Sequence, residues 1–458
     1  MTRITRHYVN VPLPSGGTRR VHYRVAGDGP PLLMIHQSPR NSGEYAALME
    51  QWAPHFTCVA PDTPGFGQSD PLSGEPDIND FADALIATMD ALGLPPCPAY
   101  GFHSGGIILV TALKRHPDRF TGLAVGGYAI WTPEEMALFG QAYLPPFQPS
   151  AYGEHLVWLW NRILEQSWFF PWFDVRDASR LPGAHADVAR IDMAVREMLD
   201  AGDAYRAGYG AVLRAPRDIP PADEVTPPVL ISAYAGDPLQ AHIDRLGDMP
   251  AGWRAHKCAT PTEHQVLSLE FLQGLDQAST IPHAECSDAG FSSIETPEFS
   301  GHIHWRGDPA SGVLVVHAPG EELATPVDAL AIDMPGHGLS DGWSGDALSD
   351  WGPWRRVIDA VAEHFGISEV RLPDAPRGDP ELLFPDLSPD RYGTHLTRAW
   401  QIVRARHIFA PHHEVTGGNA IAFDPADIRP DHLAREHRAM LRATAARGLC
   451  EALNHRQE

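Results

Sequence analysis

A chain of 458 residues, 43% hydrophobic and with 12 tryptophans, has the length for two domains and is too apolar to stay disordered. Its 58 acidic against 35 basic residues leave a net charge of −23, which excludes nucleic acid and anionic membrane surfaces as expected partners. The 5 cysteines (Cys58, Cys97, Cys258, Cys286, Cys450) are odd in number and lack a CxxC spacing, excluding a disulfide framework and a structural zinc site.

The first residues lack the apolar core of a signal peptide and no stretch approaches membrane-spanning length, so a soluble, cytoplasmic protein is expected. Residues 8–25 alternate polar and apolar around Gly16-Gly17 and predict an opening hairpin. The apolar run Pro31 to Ile35 reads as a strand buried on both faces, ending in His36-Gln37-Ser38-Pro39. Glu44 to Trp52 has a helical pattern, and Thr57 to Ala60 is the next strand. That strand runs into Asp62-Thr63-Pro64-Gly65-Phe66-Gly67-Gln68-Ser69-Asp70. Phe81, Leu85, Met89 and Leu92 make Asp80 to Leu92 a crossover helix, with Gly93 as its stop. Then comes Ala99-Tyr100-Gly101-Phe102-His103-Ser104-Gly105-Gly106, followed by an apolar helical run that ends at Pro117.

Strand, Gly-bracketed turn and helix in this order resemble the nucleophile elbow of the α/β-hydrolase superfamily. The loop from Asp62 to Asp70 closely matches that superfamily's D-x-P-G-x-G-x-S-D pattern. The resemblance implies an α/β fold, a mostly parallel doubly wound sheet with a helical cap. It also implies an enzyme without metal or organic cofactor. Read as Gly-x-Nuc-x-Gly from Gly101 to Gly105, the motif puts His103 at the apex, where a Ser, Cys or Asp would stand. Shifting the register to Ser104 brings bulky Phe102 into a position where a Cβ has no room. Both His103 and Ser104 remain candidates for the reactive group.

The resemblance carries further residues with it. The loop after the first parallel strand supplies an oxyanion-hole N–H in related hydrolases, which points to Ser38, then Gln37, with His36 beside them. Asp62 is expected to be a turn-former. Phe120 to Gly127 reads as a strand, and from about 132 to 216 the chain turns to aromatic, proline-interrupted helices, the place of the cap. Most cap aromatics are expected to be lid core, with His155 and Trp158 as candidates for lining a pocket. Pro227 to Tyr234 is another buried strand, ending in Gly236-Asp237-Pro238, where the family holds the triad acid. Trp253 to Cys258 would be the last strand. His264, leading into a helix from Val266 to Leu272, matches the general-base histidine. Elbow, acid and histidine fall in the chain order this fold requires.

The first half then reappears in part. After a linker at 276–297, Ile303 to Arg306 echoes Val21 to Arg24, and Gly312 to His317 echoes Pro31 to His36. The loop from Asp333 to Asp341 repeats the one at Asp62, and Trp354 to Ile367 repeats the crossover helix. Tyr392-Gly393-Thr394-His395-Leu396, with Trp400, repeats Tyr152-Gly153-Glu154-His155-Leu156 and Trp160. No Gly-x-Nuc-x-Gly follows Leu372, and no acid-bearing strand or terminal histidine comes later. The organisation expected is a capped hydrolase domain over 1–275 and a non-catalytic partial repeat over 298–458.

The function expected is hydrolysis of an ester-like or other carbonyl-containing small molecule, catalysed by His103, Ser104, Asp237 and His264. Lyase or hydratase chemistry with His103 as base, or a ligand-binding fold without catalysis, are the alternatives. The partner is a small-molecule substrate, and a homodimer stays open.

Overall fold

The computed structural model describes residues 3–278, 286–324, 328–345 and 348–456. The centre of the linker, 279–285, thus lies outside the described residues. The chain divides into two compact units, one of Met1–Gln148 with Asn161–Glu285, the other of Pro149–Trp160 with Cys286–Glu458.

The first unit is built on eight strands: β1 (Thr5–Pro12), β2 (Thr18–Ala26), β3 (Pro31–Ile35), β4 (Thr57–Pro61), β5 (Cys97–Phe102), β6 (Phe120–Gly126), β7 (Val229–Tyr234) and β8 (Trp253–Cys258). They lie in the order β1-β2-β4-β3-β5-β6-β7-β8, and only β1 and β2 run antiparallel to their neighbours. This is the doubly wound sheet expected from strand–helix alternation. Strands β3 and β5 are almost wholly buried, as continuous apolar runs with helices on both faces must be. The unit's helices are α1 (Ala46–Trp52), α2 (Ile78–Ala91), α3 (Ser104–Arg115), and, in the cap region, α4 (Pro133–Ala142), α6 (Val188–Ala201) and α7 (Tyr205–Leu213), while α5 (Glu154–Gln166) has its first residues in the second unit and its last in the first. The last is α8 (Pro261–Gln273), which begins five residues before the predicted Val266 and takes His264 into its first turn. Thr260 accepts from the Glu263 N–H and Pro261 opens the helix, so the cap lies upstream of the histidine.

The second unit carries β9 (Ala289–Glu295), β10 (Ser300–Gly307), β11 (Val313–Val316), β12 (Leu330–Ile332) and β13 (Glu369–Arg371). Strand β9 occupies residues counted in the linker, where it pairs antiparallel with β10. The order β9-β10-β12-β11-β13 has the same sequence of antiparallel and parallel pairings as β1-β2-β4-β3-β5. Side chains match as well. His22 Nδ1 bonds Asp62 at 2.8 Å, and His304 Nδ1 bonds Asp333 at 2.7 Å. Each aspartate also accepts one backbone N–H of its own loop (Gln68, Leu339) and one from the segment after the adjacent parallel strand (Ser42, Leu323), so Asp62 is a loop-builder, as the sequence suggests. After α9 (Trp351–Phe365) and β13 no elbow follows among the described residues. The chain continues through α10 (Pro380–Leu383), α11 (Thr394–Arg406), α12 (Pro430–Arg442) and α13 (Ala446–His455).

Within this unit the two Tyr-Gly-x-His-Leu segments meet each other. The Trp160 indole N–H donates to Arg391 O at 3.1 Å and that of Trp400 to Ala151 O at 3.4 Å. His155 packs edge-on to Trp400 and His395 to Trp160. A Cβ on Gly393 would sit 2.5 Å from the Trp160 ring, which is why both copies need glycine there. The motif is a reciprocal packing device. Among the described residues, no helix is long and apolar enough to cross a membrane.

Candidate functional site

At the end of β5 the backbone of His103 takes φ 48° and ψ −114°, the chain's one non-glycine residue with positive φ among those described. Such a conformation costs on the order of 1–3 kcal/mol and persists because the surroundings enforce it. The turn presses α3 against β3 so closely that a Cβ on Gly105 would lie 1.9 Å from Ile35 O. A Cβ on Gly101 would lie 2.7 Å from the Gly105 backbone. Both tight positions flank His103 by two residues, so the apex is His103.

Asp237, from the turn after β7, faces that apex. His103 Nε2 lies 3.1 and 3.2 Å from the two carboxylate oxygens. A carboxylate only accepts, so in the neutral tautomer that this contact selects, Nε2 carries the proton and Nδ1 is the acceptor. Burial alone would raise the Asp237 carboxyl. The His103 ring, its hydrogen bond and the Leu239 N–H together hold it below its ordinary range.

His264 does not join them. Its Nδ1 bonds Ser232 Oγ at 2.8 Å and its Nε2 the Tyr100 hydroxyl at 3.0 Å, and the residue is 2% exposed. Burial pushes its pKa down to about 4, so the ring is neutral at pH 7. The ring of Phe102 lies against both imidazoles, stacked on His103 and edge-on to His264. The expected Asp237–His264 pair is therefore replaced by Asp237–His103, because His264 is held within the first turn of α8. His264→Gln is expected to cost about 2 kcal/mol of stability, since it disturbs a buried hydrogen-bonded pair. Activity of the folded enzyme should stay within roughly tenfold, below the range of a lost general base. A kcat loss of a thousandfold with an unchanged melting temperature would restore the conventional base.

The oxyanion loop also differs from expectation. The Ser38 backbone N–H donates to Ser104 Oγ at 2.5 Å. The Gln37 N–H donates to Glu44 at 2.8 Å. His36 is buried, with Nδ1 near Gln37 O and Nε2 accepting from the Thr63 N–H at 2.9 Å, so it braces the loop. Ser104, the first residue of α3, has a backbone N–H with no intrahelical partner, the donor that remains beside the apex.

Above the apex lies a small, mostly apolar cavity. Its floor is His103, Ser104 and Ile107, and its cap side includes Trp131, Phe139, Tyr143, Phe170 and Tyr209. His155 and Trp158 do not line it. His155 Nδ1 instead accepts from the Ser150 N–H at 3.1 Å, within the reciprocal packing of the two Tyr-Gly-x-His-Leu segments. Sequence reasoning assigned the lining aromatics to lid core, since no periodicity separates a cavity wall from a core face. The Trp131 indole N–H is buried without a partner, and the Tyr143 and Tyr209 hydroxyls are 3.0 Å apart.

Comparison with known proteins places these features. The family model described as alpha/beta hydrolase fold matches residues 30–145. An uncharacterised protein of Mycobacterium tuberculosis (strain ATCC 25618 / H37Rv) is 30% identical over 306 residues, 66% of this chain and 77% of that one. Haloalkane dehalogenase 2 of the same strain is 33% identical over 120 residues, 26% of this chain and 42% of that enzyme. A pimeloyl-[acyl-carrier protein] methyl ester esterase of Shewanella sp. (strain MR-7) is 32% identical over 139 residues, 30% of this chain and 49% of its own. The chain thus spans less than half the length of these two enzymes. A solved structure of epoxide hydrolase A from Mycobacterium thermoresistibile is 19% identical, with a TM-score of 0.47 over 60% of this chain and 100% of that one.

Proposed function

Since this chain belongs to the α/β-hydrolase fold family, we propose that it is a cofactor-independent hydrolase of a small carbonyl compound, with His103 and Asp237 as its working pair. The observation that carries this reading is the bond from His103 Nε2 to Asp237 on the wall of an apolar cavity. Asp237 fixes the tautomer, and Nδ1 takes a proton from water as that water attacks the substrate carbonyl. The oxygen turned anionic by the attack accepts from the Ser104 backbone N–H at the start of α3. When the intermediate collapses, the bond to the leaving group breaks and the proton on Nδ1 passes to the departing atom. Acid and alcohol are the products where the substrate is an ester.

Ser104 has no comparable support as nucleophile. Its hydroxyl oxygen accepts the Ser38 N–H, and among the described residues no imidazole hydrogen-bonds it. The second unit, in which no elbow follows β13 among the described residues, is a non-catalytic repeat in this reading.

A serine-directed phosphonate tests the assignment. Ester-hydrolysing activity is expected to survive it, with no adduct mass on the peptide containing Ser104. Inactivation with an adduct mapped to Ser104 would transfer the nucleophile's role to that residue.

A further inference from the structure

The last helices of the second unit bring three strong donors together outside its hydrophobic core. His432 and Glu436 stand one turn apart on α12, and His407 is the residue that closes α11. Both imidazoles point Nε2 at the same carboxylate. His407 Nε2 lies 2.7 Å from Glu436 Oε2, and His432 Nε2 lies 3.1 Å from Oε1. One ligating atom from each of the three lies within 4.8 Å of the others. A tetrahedral site with bonds of about 2.0–2.2 Å spaces its ligand atoms about 3.4 Å apart, so the donors need a shift of roughly an ångström. Side-chain torsions supply that. All three side chains keep some exposure, which gives an ion a way in and room for water at its remaining positions.

The repeat itself does not demand these residues. Aligned on the Tyr-Gly-x-His-Leu segments, His407 stands where the first copy has Ser167. The Ser167 hydroxyl is spent on the carbonyls of Leu164 and His185. Aligned on Arg196-Glu197-Met198-Leu199 and Arg438-Ala439-Met440-Leu441, His432 and Glu436 stand where α6 has Arg190 and Ala194. The first copy thus has no imidazole, thiolate or carboxylate at any of the three places. Charge pairing does not demand both rings either. Arg406 Nη2 lies 3.1 Å from Glu436 Oε2 and balances the carboxylate without them. In metal sites a ligating carboxylate is itself held by a donor from outside, and Arg406 fills that place.

We propose that His407, His432 and Glu436 bind a divalent cation of the zinc class, which ties the end of α11 to α12. Two neutral imidazoles and one carboxylate suit zinc better than magnesium or calcium, which take oxygen ligands. The site needs no thiolate, so the scattered cysteines do not bear on it. On binding, each ring offers Nε2 to the ion and carries its proton on Nδ1. For His432 this turns away the exposed Arg435 guanidinium, whose Nη2 is 3.3 Å from Nδ1. The site lies in the unit read as non-catalytic and stands apart from the proposed reaction.

Calorimetric titration of the chelator-treated full chain with Zn²⁺, and with Co²⁺ followed in the visible, tests the site. One site per chain is expected to stand out as tighter than any other. It should weaken at least about tenfold in His407→Ala and in His432→Ala. Co²⁺ bound there should show no thiolate charge-transfer band, since its protein ligands are nitrogen and oxygen. His256→Ala is the control. With Cys258 and Glu263, His256 forms the other such trio among the described residues, and its loss should leave the tight site unchanged. If an alanine variant does not fold, Glu436→Gln serves, keeping the shape while removing the charged ligand. Several equal weak sites, no binding, a thiolate band or a tight site lost in His256→Ala would overturn the proposal. So would undiminished affinity in the His407 and His432 variants, or in Glu436→Gln where it replaces them.

Discussion

Replacing His103 by alanine is expected to lower kcat by roughly a thousandfold or more while the protein still folds, because the working base is removed. Folding should survive since alanine at φ 48° is no worse placed than histidine, and the flanking glycines that allow the turn are untouched. Asp237→Asn should cost about a hundredfold to ten-thousandfold in kcat for a different reason. The asparagine can turn its NH₂ towards Nε2, which becomes an acceptor and moves the proton to Nδ1. The imidazole remains, but its free lone pair points at residue 237. Ser104→Ala should stay within roughly tenfold, since the backbone N–H proposed for the oxyanion is retained. Steady-state hydrolysis of an ester panel reads all three variants. An active His103→Ala alongside an inactive Ser104→Ala would reverse the assignment.

The sheet and the elbow were legible because they rest on local rules. Continuous apolar runs marked β3, β5 and β7, and two glycines spaced around His103 marked a turn that leaves no room for Cβ atoms. The Gly236-Asp237-Pro238 turn after β7 was legible, and Asp237 faces the apex from it. Its partner was not, because the choice between His103 and His264 depends on where a helix starts. A signal was present: Thr260-Pro261-Thr262-Glu263 carries an N-cap residue, proline at the first helical position and a glutamate at N3. Read as a helix start, it puts His264 inside the helix rather than on a loop above the apex. His155 misled for another reason. A histidine in an aromatic cap suggests a pocket, and only its repetition in Tyr392-Gly393-Thr394-His395 pointed to packing.

Gly105→Ala is the substitution expected to cost most in stability, about 4 kcal/mol or more, enough to leave little folded protein. The added Cβ would lie 1.9 Å from Ile35 O, 2.7 Å from Ile35 C and 2.9 Å from His36 O. All three are backbone atoms at the centre of a parallel sheet, so no side-chain rotation relieves the overlap. Either α3 lifts off β3 or the sheet opens. Gly106→Ala makes the instructive comparison: its Cβ would meet Val125 Cγ1 at 2.4 Å, a side-chain atom that another rotamer can move. That variant should lose about 1–3 kcal/mol, an overpacking cost. Gly140, in α4 with nothing within 4 Å, is the control, and alanine there should be neutral or stabilising by up to about 1 kcal/mol. Chemical denaturation of the three variants orders them. The order also fixes the register of the elbow, since a reactive residue at 104 would make 102 and 106 the crowded positions. If Gly106→Ala proved more damaging than Gly105→Ala, the apex would belong to Ser104, and the catalytic role of His103 would fall with it.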